Sequence, residues 1–399
     1  MWKKLLTLLF LSSVGMASHF VAASQTAVTT DCEFTTVRFV TDFSMGRLDG
    51  CEQVAEHRFV LHLRPENTPI NPSPWYAFRA ENLTDSVQEI QITLQSHNGP
   101  ARYLPKASVD KQRWLPVAHR SNDNRLQFQL ALQPATPLYI AGQEIIDNRA
   151  YTRWLASLAQ EDAQEILTLG YSTEGRPLPA LMHYADGNSP SNNPPQWLVL
   201  IGRQHPPEIT GALAMLHFTN WLFSDDELAN RFRARFNILV APNMNPDGVQ
   251  AGNWRHTSTG LDMNRDWRQR TQPETQALHA MLEQLVDNGE ELVFALDFHS
   301  TWRNIYYTMP ASYVNVAGNR LYNRNFVDQW LAQLEKEINW EVVNRPGHNQ
   351  DSGVFKQYMA DAFGIHAVTY EVGDNTDREE IKITAEKAAR VMAQQMLQQ

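Results

Sequence analysis

His205 and Glu208, in the run His205-Pro206-Pro207-Glu208, set an imidazole and a carboxylate three residues apart. They directly follow the apolar run Trp197–Ile201 and open an amphipathic stretch. Those two ligand types together suit zinc, and a third from elsewhere would leave a fourth position for water. The pattern alone also reads as an ordinary surface turn, because a chain with 13 histidines yields such a spacing readily. Context decides between the two. In sheets of buried parallel strands, ligands collect beyond the carboxyl ends of the strands. Here the other chemistry-bearing groups stand at such ends. Asn253–Arg255 and Asp262–Arg265 come after the apolar run Phe236–Val240, His299 closes Leu292–Phe298, and Glu371 follows Ala367–Tyr370. A carboxylate at the end of a buried strand is costly without a partner, which favours a functional Glu371 over a structural one.

The elements that must carry these groups alternate between strands and helices after Gly142. Strands are expected over Glu165–Tyr171, Leu178–Tyr184, Trp197–Ile201, Phe236–Val240, Leu292–Phe298 and Ala367–Tyr370. Helices are expected over Tyr151–Leu158, Glu208–Leu222, Pro273–Val286 and Leu321–Leu334, with a terminal helix opened by a Thr376–Glu379 capping box. Buried strands between helices predict a mixed α/β domain with a largely parallel central sheet flanked by helices. Ahead of it, runs such as Thr36–Val40, His57–Leu63, Trp75–Arg79, Glu89–Leu94 and Arg125–Leu130 mostly alternate apolar and polar residues between turn clusters. That pattern predicts an N-terminal antiparallel β-sandwich domain. There are no internal repeats.

The chain of 399 residues begins with Lys3 and Lys4, a short apolar core from Leu5 to Leu11, and Val21-Ala22-Ala23 before Ser24. This reads as a secretory signal over residues 1–23, too short to span a bilayer. The division is then signal peptide 1–23, sandwich 24–145 and catalytic domain 146–399, in a protein exported to the periplasm or the extracellular space. No stable membrane insertion is expected after cleavage. The net charge of −10, with no basic run, argues against nucleic acid as a partner. Cys32 and Cys51 are the two cysteines. Export favours a disulfide between them, with two buried free thiols as the alternative.

From about Leu167 to Gly373 the chain resembles the zinc metallocarboxypeptidases of the carboxypeptidase A superfamily. The motifs, in order, are GYSTEGR at Gly170–Arg176, HPPE, NPDG at Asn245–Gly248, GNWR at Gly252–Arg255, DMNRDW at Asp262–Trp267, FHS at Phe298–Ser300 and TYE at Thr369–Glu371. The preceding Pro74–Arg79 run looks like the cytosolic carboxypeptidase branch, which trims glutamates from protein tails, although the expected export keeps that branch's tubulin-type substrates from carrying over. The resemblance implies one zinc on His205, Glu208 and His299, and peptide or protein C-termini as substrates. It implies Glu371 as general base, Arg255 as the group that holds the developing oxyanion, and Asn264 with Arg265 as the grip on the terminal carboxylate. Asp262 would orient His205.

Two departures stand out. The substrate-covering tyrosine of the carboxypeptidase A type would fall near His348–Gly353, where there is none, and Tyr358 is shifted. The family position that selects the side chain falls near Lys356; a cation there would favour an acidic C-terminal residue, with an exposed helix lysine as the alternative. The rival readings are a zinc deacylase of N-acyl amino acids, and a relative that binds zinc or peptide without catalysis. The Arg255, Asn264 and Arg265 set weighs against the first and Glu371 against the second.

Overall fold

The computed structural model describes residues 32–161, 163–185, 194–323 and 325–398. The expected signal segment, 1–23, lies outside the described residues. The N-terminal region is two sheets packed face to face. One runs in the order Cys32–Glu33, Val37–Val40, Ala77–Asn82, Leu138–Ala141, Lys106–Ser108 and Leu115–Pro116; the other runs Cys51–Ala55, Arg58–Leu63, Gln88–Ser96, Arg125–Leu132 and His119–Asn122. Burial alternates residue by residue along Gln88–Ser96 and Arg125–Leu132, as a sheet with one face on the core requires. Phe39, Phe59, Trp75, Tyr76, Phe78 and Ile92 fill the space between. Pairing is antiparallel except between Arg58–Leu63 and Gln88–Ser96, which run parallel. Alternation along a strand fixes which face is buried and not the direction of its neighbour, so this one pair departs from the expected antiparallel pattern. A Cys32–Cys51 disulfide, with Cα atoms 6.0 Å apart, ties the first sheet to the second.

The second region is an eight-stranded mixed sheet in the order Gln164–Tyr171, Pro177–His183, Asn237–Ala241, Gln196–Gly202, Glu291–Thr301, Ala367–Gly373, Ile305–Thr308 and Asn344–Pro346. The four strands from Asn237–Ala241 to Ala367–Gly373 are mutually parallel. They are buried on both faces, which is why they read as unbroken apolar runs. Ile209–Leu222 and Arg378–Met396 pack on one face, while Pro273–Asp287 and Phe355–Phe363 pack on the other. The terminal helix is capped by Asp377, whose carboxylate accepts from Glu379 and Glu380 N–H. Thr376, expected as the cap, instead donates to Asn304 Oδ1. The helix expected from Leu321 starts at Phe326. Among the described residues no helix is long and apolar enough to cross a membrane.

Candidate active site

His299 and Glu371 stand at the carboxyl ends of parallel strands, His205 and Glu208 in the turn just after one, and Arg255, Asn264, Arg265 and Lys356 line the same cleft. His205, Glu208 and His299 offer ligand atoms that all fall within 4.8 Å of one another, and all three are buried. The turn that carries the first two is clamped by Arg203, itself fully buried at a positive φ of 52°. Its guanidinium donates to the Pro206 and Ile146 carbonyls and to Tyr151 Oη. His299 comes close because the first turn of the Ile209–Leu222 helix carries Gly211. A Cβ there would stand 2.3 Å from the His299 carbonyl oxygen, so a larger residue would push helix and strand apart.

The donor set fits a metal. His205 Nδ1 and His299 Nδ1 lie 2.8 and 2.7 Å from the two oxygens of Glu208. On the far side of each ring, Nε2 meets a second carboxylate, Asp262 Oδ1 at 2.9 Å for His205 and Asp297 Oδ2 at 2.8 Å for His299. An N–H held at Nε2 fixes the tautomer that leaves Nδ1 as the ligand atom. The charges respond to this crowding. Burial opposes ionisation of Glu208, but the two histidines outweigh it and hold the carboxyl well below its usual range. Burial would lower His299, yet Asp297 and Glu208 raise it well above the ordinary histidine value.

Glu371 pairs with His299 in register across neighbouring strands. Burial pushes its carboxyl up to about 8; His299 pulls the other way, Glu208 adds to the rise, and Arg102 again opposes it. Its Oε2 is buried without a hydrogen-bond partner among the described residues. A buried carboxyl oxygen left without a partner among the described residues, beside a group of side chains that could hold a metal, marks Glu371 as a candidate for proton exchange.

These residues line a cleft of about 140 Å³ together with Arg255, Asn264, Arg265 and Lys356. Arg255 Nε donates to Asp262 Oδ2 at 2.7 Å, so Asp262 bridges the arginine and His205. Asn264 Oδ1 accepts from Phe355 N–H, which opens the Phe355–Phe363 helix, and its Nδ2 lies 3.2 Å from His299 Nε2. The side-chain amide is therefore held through its oxygen. Lys356 is 1% exposed and donates to the His348 carbonyl at 2.5 Å, which excludes the exposed-lysine alternative. Burial, with Arg265 beside it, lowers its ammonium to about 8. Tyr358 is no cover for the cleft: it stacks on Trp267 at 5.2 Å and bonds to His279.

Several cleft residues escape a reading of motifs. Asp297 carries a signal in hindsight, as a lone acid inside the apolar strand run and two residues from His299, on the same face of the strand. Tyr307 and His348 stack at 4.3 Å on the wall beside Lys356. Asn71 and Arg102 reach in from the sandwich, and Arg102 spends its donors on Asp374, Ser73 and the Ser300 carbonyl.

A family model described as zinc carboxypeptidase matches residues 151–391. Cytosolic carboxypeptidase 6 of Mus musculus is 24% identical over 281 residues, which is 65% of this chain and 52% of that protein. Its Caenorhabditis elegans namesake is 22% identical over 372 residues, covering 84% of this chain and 78% of its own length. The chain thus spans only 52% and 56% of the length of the mouse and human relatives it matches. Among solved structures, a metallo-carboxypeptidase from Burkholderia cenocepacia superposes with a TM-score of 0.73 at 18% identity, over 90% of this chain and 98% of that one. A metallo-carboxypeptidase from Pseudomonas aeruginosa, in complex with (2-guanidinoethylmercapto)succinic acid, gives 0.69 at 20% identity, with 90% and 98% covered. At such identities these two establish the shared fold.

Proposed function

Because the chain belongs to the zinc carboxypeptidase family, we propose that it is an exported, zinc-dependent metallocarboxypeptidase that hydrolyses the C-terminal peptide bond and prefers an acidic C-terminal residue. The observation that carries this reading is the buried His205, Glu208 and His299 group, set beside Glu371, whose Oε2 has no partner among the described residues, in a cleft also lined by Arg255, Arg265 and Lys356. Residues 24–145 would form the sandwich domain and 146–399 the catalytic domain.

His205, Glu208 and His299 would hold one zinc ion, which when bound supplies Lewis-acid polarisation and acidified water. Glu371 would take the proton of the attacking water and pass it to the leaving amine. Arg255 would donate to the carbonyl oxygen as it gains charge, an interaction that strengthens in the transition state. Arg265, with Asn264 beside it, would hold the terminal carboxylate, a planar anion that a guanidinium meets with two parallel bonds. Lys356, buried with no carboxylate bonded to it among the described residues, would then meet a second carboxylate on the terminal side chain.

Export rests on the basic start, the short apolar core and the small-residue site before Ser24. The Cys32–Cys51 bridge supports it, since disulfides persist in oxidising compartments. In this the reading departs from the relatives named as cytosolic.

The test is kcat/KM on a matched peptide series ending in Glu, Leu and Lys, for wild type and Lys356→Asp. Glu should lead by roughly 5- to 150-fold, the range that a partly shielded charge pair contributes, and the substitution should invert the order. Wild type favouring Leu or Lys would reject the acidic preference alone. Release of no C-terminal residue from any peptide by the zinc-loaded protein would reject the carboxypeptidase reading.

A further inference from the structure

The sandwich and the α/β layer meet along the segment that carries Arg255. Met45 N–H bonds the Gln250 carbonyl at 3.2 Å, Ser44 Oγ bonds Gln250 Oε1 at 3.1 Å, and Arg47 donates to Asn253 Oδ1 at 3.2 Å. Further on, Asn67 Nδ2 reaches the Gly260 carbonyl at 2.9 Å. Gly252 turns the chain at φ +66°, and a Cβ there would stand 2.7 Å from the Met45 carbonyl. Between these anchors lies Glu66, with a side chain 8% exposed. Its Oε2 accepts from Trp254 N–H at 2.8 Å, and its Oε1 accepts from Arg255 N–H at 3.0 Å and His256 N–H at 2.8 Å. One carboxylate from the sandwich therefore gathers three consecutive backbone N–H groups of the catalytic layer.

Three amides in a row pointing at one centre is a backbone arrangement that needs an anion to hold it, and buried N–H groups left without acceptors are expensive. Burial works against the Glu66 charge, but the bonds from His256, the charge of Arg47 and the Trp254 N–H outweigh it and hold the carboxyl down at about 2. The middle amide of the three belongs to Arg255. Its side chain is fixed at the other end by Asp262. Backbone and Nε are thus both constrained, from two different layers of the fold.

We propose that Glu66 is a positioning residue for the hydrolysis: it sets the backbone from which Arg255 reaches the oxyanion. This rests on the role assigned above to Arg255. A donor aimed in advance at the developing charge contributes to kcat rather than to substrate binding. A displacement of about 1 Å at such a group costs on the order of 100-fold in rate.

The test compares zinc-loaded wild type, Glu66→Ala, Glu66→Gln, Arg255→Ala and the Glu66→Ala/Arg255→Ala double variant. Three quantities are read: kcat, KM and the inhibition constant of a phosphonate dipeptide analogue ending in Glu. Glu66→Ala should lower kcat by about 100-fold and weaken the phosphonate in step with kcat/KM, while KM stays within about threefold. Glu66→Gln keeps the shape and one acceptor oxygen, so it should recover about tenfold of that loss. It also serves if the alanine variant does not fold, and wild-type kcat in Glu66→Gln would then overturn the inference. In the Arg255→Ala background, Glu66→Ala should add less than about threefold, because the two act as a unit. The full 100-fold loss there would overturn the inference and leave the role of Arg255 standing. Wild-type turnover in Arg255→Ala would overturn both. A Glu66→Ala protein that loses melting temperature yet keeps kcat would show that Glu66 only holds the layers together.

Discussion

The floor of the cleft and the wall that faces the sandwich are built in opposite ways. The floor takes His205, Glu208, His299 and Glu371 from the ends of adjacent parallel strands, so the sheet's own register brings His299 opposite Glu371 and Gly202 beside Phe298. Its polar atoms are then locked by neighbouring carboxylates, Asp262 on one ring and Asp297 on the other. The wall has no such register. It is held by single bonds between residues 188 to 190 positions apart, from Glu66 to Trp254, Arg255 and His256. A second clasp ties Arg102 of the sandwich to Asp374, three residues past Glu371, and Gln143 donates to the Asp374 carbonyl. The floor supplies reactive groups on rigid strands, and the wall supplies aim. Changes in the floor should therefore remove chemistry or metal, while changes in the wall should degrade alignment or acid stability.

The largest expected effect falls on the floor. Glu371→Gln keeps shape but removes the base, so kcat should fall about 10²–10⁴-fold with zinc still bound at one per chain. Activity within a few-fold of wild type, or loss of zinc together with activity, would blur the division by tying the base to the metal site.

Next comes the wall. The Glu66 carboxyl is depressed in the folded protein to about 2. Its ionised form therefore stabilises the fold fully above the unfolded carboxyl value, near 4.5, and that stability is lost as pH falls from there through about 2. The whole contribution is at most about 3 kcal/mol. Denaturant unfolding of wild type and Glu66→Gln should show their largest difference at pH 6 and a shrinking one at pH 4 and 3. A gap that does not change with pH would mean the carboxylate charge is not what joins the layers.

A smaller effect sharpens the comparison from the floor side. Asp297→Asn keeps a hydrogen bond to His299 Nε2 but removes the charge behind the ring, so zinc affinity should fall about 10–100-fold. Competition with a chelator measures this, and Glu66→Gln in the same titration should match wild type. Equal weakening in both variants would erase the distinction between a metal-holding floor and an aiming wall.

Much of the floor was legible in the sequence. HPPE after an apolar run, His299 at the close of Leu292–Phe298 and Glu371 after Ala367–Tyr370 are local patterns, and the rule that ligands gather beyond parallel strand ends converts them into a place. The central strands showed themselves by continuous apolar text, and the sandwich by alternation, because both periods follow from burial on two faces or on one. What stayed hidden depended on partners distant in sequence or on geometry without a period. Pairing direction left no trace in Arg58–Leu63, one of whose two neighbours is parallel and the other antiparallel. Tyr358, shifted from the family's covering position, had no assigned place until packing on Trp267 put it in the core. Lys356 had equal standing on a surface or in a pocket until the chain around His348 closed over it.

The sequence by itself thus singled out the residues expected to bind metal and move protons, since ligand type and strand-end position are local properties. Only the tertiary structure decided how those atoms are aimed. Glu66 sits in a turn with no motif around it, and it acquires a role solely because packing two layers brings three amides from 188 to 190 residues away onto one carboxylate. Such a contact is selected by the summed burial of both layers, and no residue near Glu66 in the chain encodes it.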